Sequence, residues 1–298
     1  MKPGQASQTA QFAAILRAHH YLSAKGQKLL EDSLALPLSG LQSKEAVKQA
    51  VTGLREGYSA LGGSEVAAAF VEQIEHAVCI RSRLVEERLR QTKDAGLQQL
   101  VVLGAGMDTT AYRCQDLVAD IDVIEIDHPD TQALKREKLN SSGIAIPANL
   151  HFVGFDFENQ TLEEALEMGG VDQAKQSLFP WLGVNMYLTE EAVNATLAVV
   201  AQFPPGSELI ADFMPEYETS LSDQITSSVD ELAQQVAEMG EPIESRFTES
   251  SLHSRLKEAG FDRVDFYSGK KIVDELLGGD RDAYCMPDDA VSLFCAVI

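Results

Sequence analysis

Gly104 and Gly106 follow directly on Leu100-Val101-Val102-Leu103, in the run Gly104-Ala105-Gly106-Met107-Asp108-Thr109-Thr110. An apolar strand that enters a glycine turn and then a helix lets a ligand approach the backbone, because neither glycine places a Cβ in the way. Asp108 or Thr109 can cap the helix. A dinucleotide fingerprint has a third glycine for close helix–strand packing around a pyrophosphate. In this chain that position is Thr109. The turn therefore favours a ligand without phosphate, and a nucleoside carrying methionine fits better than NAD.

The next two strand ends carry acids. In Val123-Ile124-Glu125-Ile126-Asp127-His128-Pro129, strand alternation turns Glu125 and Asp127 to the same side. A carboxylate at the tip of a second strand can accept both hydroxyls of a ribose. The competing role is to cap the helix that begins at Pro129. Phe155-Asp156-Phe157 ends the third strand. Asp156 can accept from a purine amino group with Phe157 packed on the ring, or it can cap a helix. Glycine or acid at three successive strand ends marks one edge of an open sheet, where ligands bind in α/β folds.

Five short apolar runs must position these ends: 97–104, 121–127, 150–156, 177–184 and 207–213. Helices are expected between them near 109–118, 129–140, 161–169 and 189–202. Near-continuous apolar strands alternating with helices predict a parallel sheet covered on both faces. A helix at 249–259 and strands at 262–267 and 291–298 bring the total to seven strands. The polar segment 268–290 has no long helical pattern, which leaves the last strand free to run antiparallel. Upstream, residues 9–95 read as helices, the longest pattern filling 64–93. The expected architecture is α/β: an N-terminal helical cap over 1–96, then an α/β domain over 97–298. A helical insertion at 214–247, after strand 5, helps to form an acceptor site.

The net charge of −22 over 298 residues repels phosphate backbones and anionic lipid, so a small-molecule partner is expected rather than nucleic acid or membrane. No run approaches the length of a spanning helix, and the first residues have no secretory apolar core, so a cytoplasmic location is expected. Cys79, Cys114, Cys285 and Cys295 are scattered without C-x-x-C spacing. Adjacent His19 and His20 fall on different helix faces, and no metal is expected.

The segments LGAGMDTTAYR, EIDHPDTQALKREKL, FDF and GVNMYLTEE resemble the leucine carboxyl methyltransferase superfamily. They are nearest its bacterial branch of S-adenosylmethionine-dependent methyltransferases, some of which act in polyketide pathways. The resemblance runs in order over residues 10 to 298. It implies a class I methyltransferase Rossmann-like sheet, S-adenosylmethionine as cofactor, and O-methylation of a small molecule at a carboxylate or hydroxyl. It also implies site residues. Gly104, Ala105 and Gly106 would face the amino-acid end of the cofactor. Asp127, with Glu125 nearby, would hold the ribose, and Asp156 and Phe157 the adenine. An arginine before the first strand would hold the cofactor carboxylate; of Arg81 and Arg83, Arg81 is preferred.

In one respect the chain departs from the family. Much of it carries a glutamate five residues before the tyrosine that matches Tyr187, and here that position is Leu182. Trp181 and Tyr187 can line the acceptor cleft or pack in the core. Asp212, His128, His253 and Tyr187 are candidate bases, and none has a spacing that assigns catalysis. Two rival readings stay open: an NAD-dependent oxidoreductase, opposed by Thr109, and a non-catalytic S-adenosylmethionine-binding module, motivated by Leu182.

Overall fold

The structure is a computed structural model. It describes residues 4–23, 28–59, 63–156, 160–216, 233–234, 237–238, 240–280, 284–285 and 292–298. Four helices come first: α1 (Gln8–Ser23), α2 (Ala35–Ser39), α3 (Lys44–Tyr58) and α4 (Ser64–Thr92). Then follow β1 (Gln99–Leu103), α5 (Thr110–Arg113), α6 (Gln115–Val118), β2 (Asp122–Asp127), α7 (Pro129–Ser141), β3 (Leu150–Gly154) and α8 (Leu162–Met168). The chain continues through β4 (Ser177–Trp181), α9 (Glu190–Val200), β5 (Glu208–Asp212), α10 (Glu249–Ala259), β6 (Arg263–Phe266), α11 (Gly269–Leu276) and β7 (Leu293–Val297).

These elements start where side chains satisfy their free N–H groups. Thr161 and Glu164 form a reciprocal capping box on α8, and Thr189, Thr248 and Ser268 cap α9, α10 and α11. Pro129 opens α7, and His128 accepts from Asp130 N as its cap.

The seven strands are ordered β3-β2-β1-β4-β5-β7-β6. β1 to β5 run parallel, and β7 is antiparallel to both neighbours, β5 and β6. The expected seven-stranded sheet with an antiparallel last strand is what forms. Side-chain alternation divides the core in two. Leu100, Val102, Ile210, Leu293 and Cys295 face a layer containing Ile80, Leu84 and Leu89 of α4 and Ile272, Val273 and Leu276 of α11. Val101, Leu103, Leu209, Ala211, Phe294 and Ala296 face the other layer, with Leu162 and Leu166 of α8, Leu197 of α9 and Leu256 of α10. Burying strand residues on both faces explains why the sequence shows apolar runs rather than alternation.

One expectation needs adjustment, and another falls largely beyond the described residues. The helix α11 lies inside 268–290, a segment read as having no long helical pattern; its eight residues bury one face through Ile272, Val273 and Leu276. The helical insertion expected at 214–247 falls largely outside the described residues. Its described ends are joined by a bridge between Pro215 and Phe247. Among the described residues no helix is long and apolar enough to cross a membrane.

Candidate functional site

From β1 the strand order runs outward through β2 to β3, then returns to β4 on the other side of β1. Such a reversal opens a crevice at the carboxyl ends of the two central strands. The ladder between β1 and β4 is recorded at Gln99–Ser177 and Leu100–Leu178, ahead of those ends.

The glycine turn sits at this point. Gly104 and Gly106 have φ of +67° and +49°, a region that side chains rarely adopt. A Cβ on Gly104 would lie 2.2 Å from Val184 Cγ2, just after β4. One on Gly106 would lie 3.0 Å from the Ala10 Cβ of α1. The turn is thus held between the segment after β4 and the first helix. Gly104 N and Ala105 N both donate to Ile126 O, at 2.8 and 3.1 Å, and Gly106 N donates to the Asp127 carboxylate. His128 N donates to the other Asp127 oxygen at 2.7 Å. Burial pushes the Asp127 carboxyl up to about 6, against the opposing pull of those two N–H donors.

Glu125 lies deeper than Asp127. Its Oε2 accepts from Lys135 Nζ at 2.6 Å, and both residues are only 1% exposed. Burial raises Glu125 to about 7, with Lys135 acting in the other direction. The two acids of β2 therefore meet different surroundings: Asp127 the glycine turn, Glu125 a lysine of α7. Beyond β3, Asp156 is half-buried, and its backbone exchanges two 3.0 Å bonds with Gln160. Phe157 lies outside the described residues.

On the other side of the glycine turn, Arg81 of α4 forms an ion pair with Asp212 at the end of β5. Asp212 Oδ1 accepts from Gly183 N at 2.5 Å, and Asn185 Nδ2 donates to Asp212 O. Gly183 has φ +69°, and a Cβ there would lie 2.8 Å from Arg81 Nη2, so the guanidinium rests against the bare backbone. Arg83 turns instead towards Glu86, at 3.8 Å. The sheet thus gathers Gly104, Ala105, Gly106, Asp127 and Arg81 at neighbouring strand ends.

The residues considered for the acceptor side divide. Trp181 is wholly enclosed in the core layer that holds Phe179 and Phe213, and its Nε1 has no partner among the described residues. Leu182 is half-buried against the α4-side core. Tyr187 hydrogen-bonds Thr9, and burial pushes its phenol up to about 12, so it keeps its proton at neutral pH. Of the candidate bases, His128 caps α7, His253 is exposed, and Asp212 is engaged by Arg81.

Three groups escaped the sequence reading. Asp32, fully buried, accepts from Arg17 Nε and Thr109 Oγ1, each at 2.9 Å, while Arg17 also donates to Met107 O. Arg113 bonds Thr109 Oγ1 at 2.7 Å and pairs with Glu86. Glu241 accepts from Ser7 Oγ, Gln8 N and Thr9 Oγ1, fixing the start of α1 beside Tyr187. Third, His19 and His20, expected on different faces, both direct Nδ1 at Glu75, at 2.5 and 3.4 Å. Burial raises the Glu75 carboxyl, but the two histidines outweigh it and hold the group at about 2. Close by, His20 Nε2 accepts from Leu29 N and His76 Nδ1 from Cys285 N, so these ring nitrogens are already engaged.

Known proteins resemble the chain in sequence and in fold. Over 205 residues, 68% of its length, the chain is 34% identical to the provisionally named S-adenosyl-L-methionine-dependent methyltransferase YktD of Bacillus subtilis (strain 168). It is 30% identical over 202 residues, 67% of its length, to a similarly named protein of Mycobacterium bovis (strain BCG / Pasteur 1173P2). The matched stretches span 66% and 64% of those relatives' own lengths. In fold it resembles the crystal structure of a provisionally assigned methyltransferase from Thermobifida fusca YX, with TM-score 0.55, 17% identity and 97% of each chain covered. A DUF574 family protein from Streptomyces avermitilis gives TM-score 0.53 at 13% identity, with 95% of each chain covered. The fold is that of the class I methyltransferases. A leucine carboxyl methyltransferase family model matches residues 10–201, the stretch that holds the cap, the glycine turn and the acidic strand ends, and the chain belongs to that family.

Proposed function

We propose that this chain binds S-adenosylmethionine along the carboxyl ends of β1, β2 and β3 and transfers its methyl group to an oxygen of a small-molecule acceptor. The observation that carries the reading is Asp127, a carboxylate fixed at the tip of β2 by the N–H of Gly106 in the turn that follows β1. The residues suit the cofactor. Both Asp127 oxygens retain lone pairs for a ribose diol, and the glycine turn lets the ligand meet backbone. Arg81 supplies a cation for the amino-acid carboxylate, and Asp156 an acceptor for the purine amino group. The rival NAD reading lacks a glycine at 109, where the Thr109 hydroxyl is committed to Asp32.

Bound S-adenosylmethionine supplies an activated methyl group: the S–CH3 bond breaks with its electron pair passing to sulfur, and a C–O bond forms to the acceptor. The residues around the glycine turn would orient the two partners. Positioning of this kind accounts for much of the rate in a displacement that needs no covalent enzyme intermediate. Of the candidate bases, Tyr187 is protonated, Asp212 is paired with Arg81, and His128 Nδ1 accepts from Asp130 N as the α7 cap, so none of these three stands ready to take a proton. That favours a carboxylate acceptor, already ionised at neutral pH, over a hydroxyl that must lose a proton.

The start of α1 and Glu241 come together beside Tyr187, which supports an acceptor site built from the cap and the 214–247 insertion. The acidic surface further favours a small-molecule partner over nucleic acid or membrane. The test is titration calorimetry with S-adenosylmethionine and NAD, followed by mass spectrometry for S-adenosylhomocysteine with a panel of carboxylic acids and alcohols. Binding of S-adenosylmethionine alone, with turnover on a carboxylic acid, is the expected result. Binding of NAD instead would overturn the assignment, and binding without turnover would leave the non-catalytic reading in place.

A further inference from the structure

Arg81 and Asp212 present opposite charges side by side at the sheet edge. Their side chains remain 17% and 13% exposed, so the pair is sheltered but within a ligand's reach. Its orientation is fixed from both sides. Gly183 N holds Asp212 Oδ1, Asn185 Nδ2 holds Asp212 O, and the guanidinium lies on the bare Gly183 backbone. The next residue, Val184, abuts Gly104 and so places the pair beside the glycine turn. β4 contributes no carboxylate here, since its tip reads Trp181-Leu182-Gly183.

An ion pair this sheltered must offset the desolvation of both charges, so it is weak evidence of a stabilising role by itself. Fixed beside a ligand crevice, it matches a group that carries both charges on neighbouring atoms. We propose that Arg81 and Asp212 together form a receptor for a zwitterionic α-amino acid end, with Asp212 binding the α-ammonium while Arg81 binds the carboxylate. Neither residue has to give up its present bonds. Each carboxylate oxygen accepts more than one hydrogen bond, and the bond from Arg81 to Asp212 uses Nη1 of a guanidinium that carries five N–H groups. Asp212 is then the residue that distinguishes an amino acid side arm from a plain carboxylic acid. This inference rests on the S-adenosylmethionine reading given above.

The experiment is calorimetry on the full chain with three probes: S-adenosylhomocysteine, its des-amino analogue with hydrogen in place of the ammonium, and 5′-methylthioadenosine, which has no amino acid arm. The wild-type chain is expected to prefer S-adenosylhomocysteine to the des-amino analogue by roughly ten- to hundred-fold, the range of one hydrogen bond to a charged group. Asp212→Asn removes that preference and leaves 5′-methylthioadenosine affinity unchanged, while Asp212→Glu keeps the preference. Equal loss of both amino acid probes in Asp212→Asn would show that Asp212 only holds Arg81, and would overturn the proposal. So would an unchanged preference in that variant, or equal affinities in the wild type, a result that needs no variant to fold. Wild-type chain that binds none of the three probes would overturn the cofactor reading itself.

Discussion

The Thr109 hydroxyl donates to the Asp32 carboxylate at 2.9 Å, with Thr109 1% exposed and Asp32 0%. This bond joins the helical cap to the residue that stands where a dinucleotide fingerprint has glycine. Thr109→Val keeps the shape and removes the donor. It leaves a buried carboxylate short of one hydrogen bond, and the expected loss is about 1–3 kcal/mol in a denaturant melt. A wild-type melting curve for the variant would show that Arg17 and Arg113 satisfy Asp32 without the threonine.

Gly104→Ala meets both a backbone and a packing barrier. Its φ of +67° is strained for alanine, and the new Cβ would lie 2.2 Å from Val184 Cγ2. S-adenosylhomocysteine affinity is expected to fall by roughly five- to hundred-fold, from strain of about 1–3 kcal/mol at the turn. Val184→Ala in the same chain relieves the contact but not the strain, so calorimetry of the double variant shows a partial recovery. Full recovery would assign the whole effect to the methyl contact.

The acid at the tip of β2 gives the pH dependence. The Asp127 carboxyl, raised by burial to about 6, is ionised above that value and protonated below it. Ribose binding by the ionised form means that affinity is fully present at pH 7.5 and falls as pH drops through 6. At pH 5 only about a tenth of the chain is competent, and the dissociation constant rises roughly tenfold. Asp127→Asn flattens this profile at weak affinity. A profile that stays steep in Asp127→Asn would assign the titration to another group.

The buried pair Glu125–Lys135 is expected to behave as a unit. Lys135→Met strands a carboxylate that is 1% exposed, and the loss is about 3–5 kcal/mol, read as a lowered melting temperature. Adding Glu125→Gln removes the stranded charge and recovers most of the stability. If the two losses simply add, the pair is not coupled.

Much of this arrangement is legible along the chain. The strands show because burial on both faces forces continuous apolar runs, as in Leu100-Val101-Val102-Leu103. Gly104, Gly106 and Asp127 show because a turn and a strand tip are written within a few residues. The short helix α11 is harder to see: two turns need only Ile272, Val273 and Leu276 on one face, amid polar sequence. The tethers are not legible at all. Thr109 and Asp32 are 77 residues apart, Arg81 and Asp212 131, Thr9 and Glu241 232, and no local pattern records such pairings. Glu125 and Asp127 share strand parity, yet only the packing of α7 separates their surroundings by bringing Lys135 to Glu125.

The place of β7 between β5 and β6 has a consequence for biosynthesis. Residues 263–266 leave the ribosome before 293–297, the segment they pair with, has been made. A translational pause in that interval leaves both β5 and β6 with an open edge, available to a neighbouring nascent chain. Misassembly during synthesis is therefore expected to be greatest at that stage.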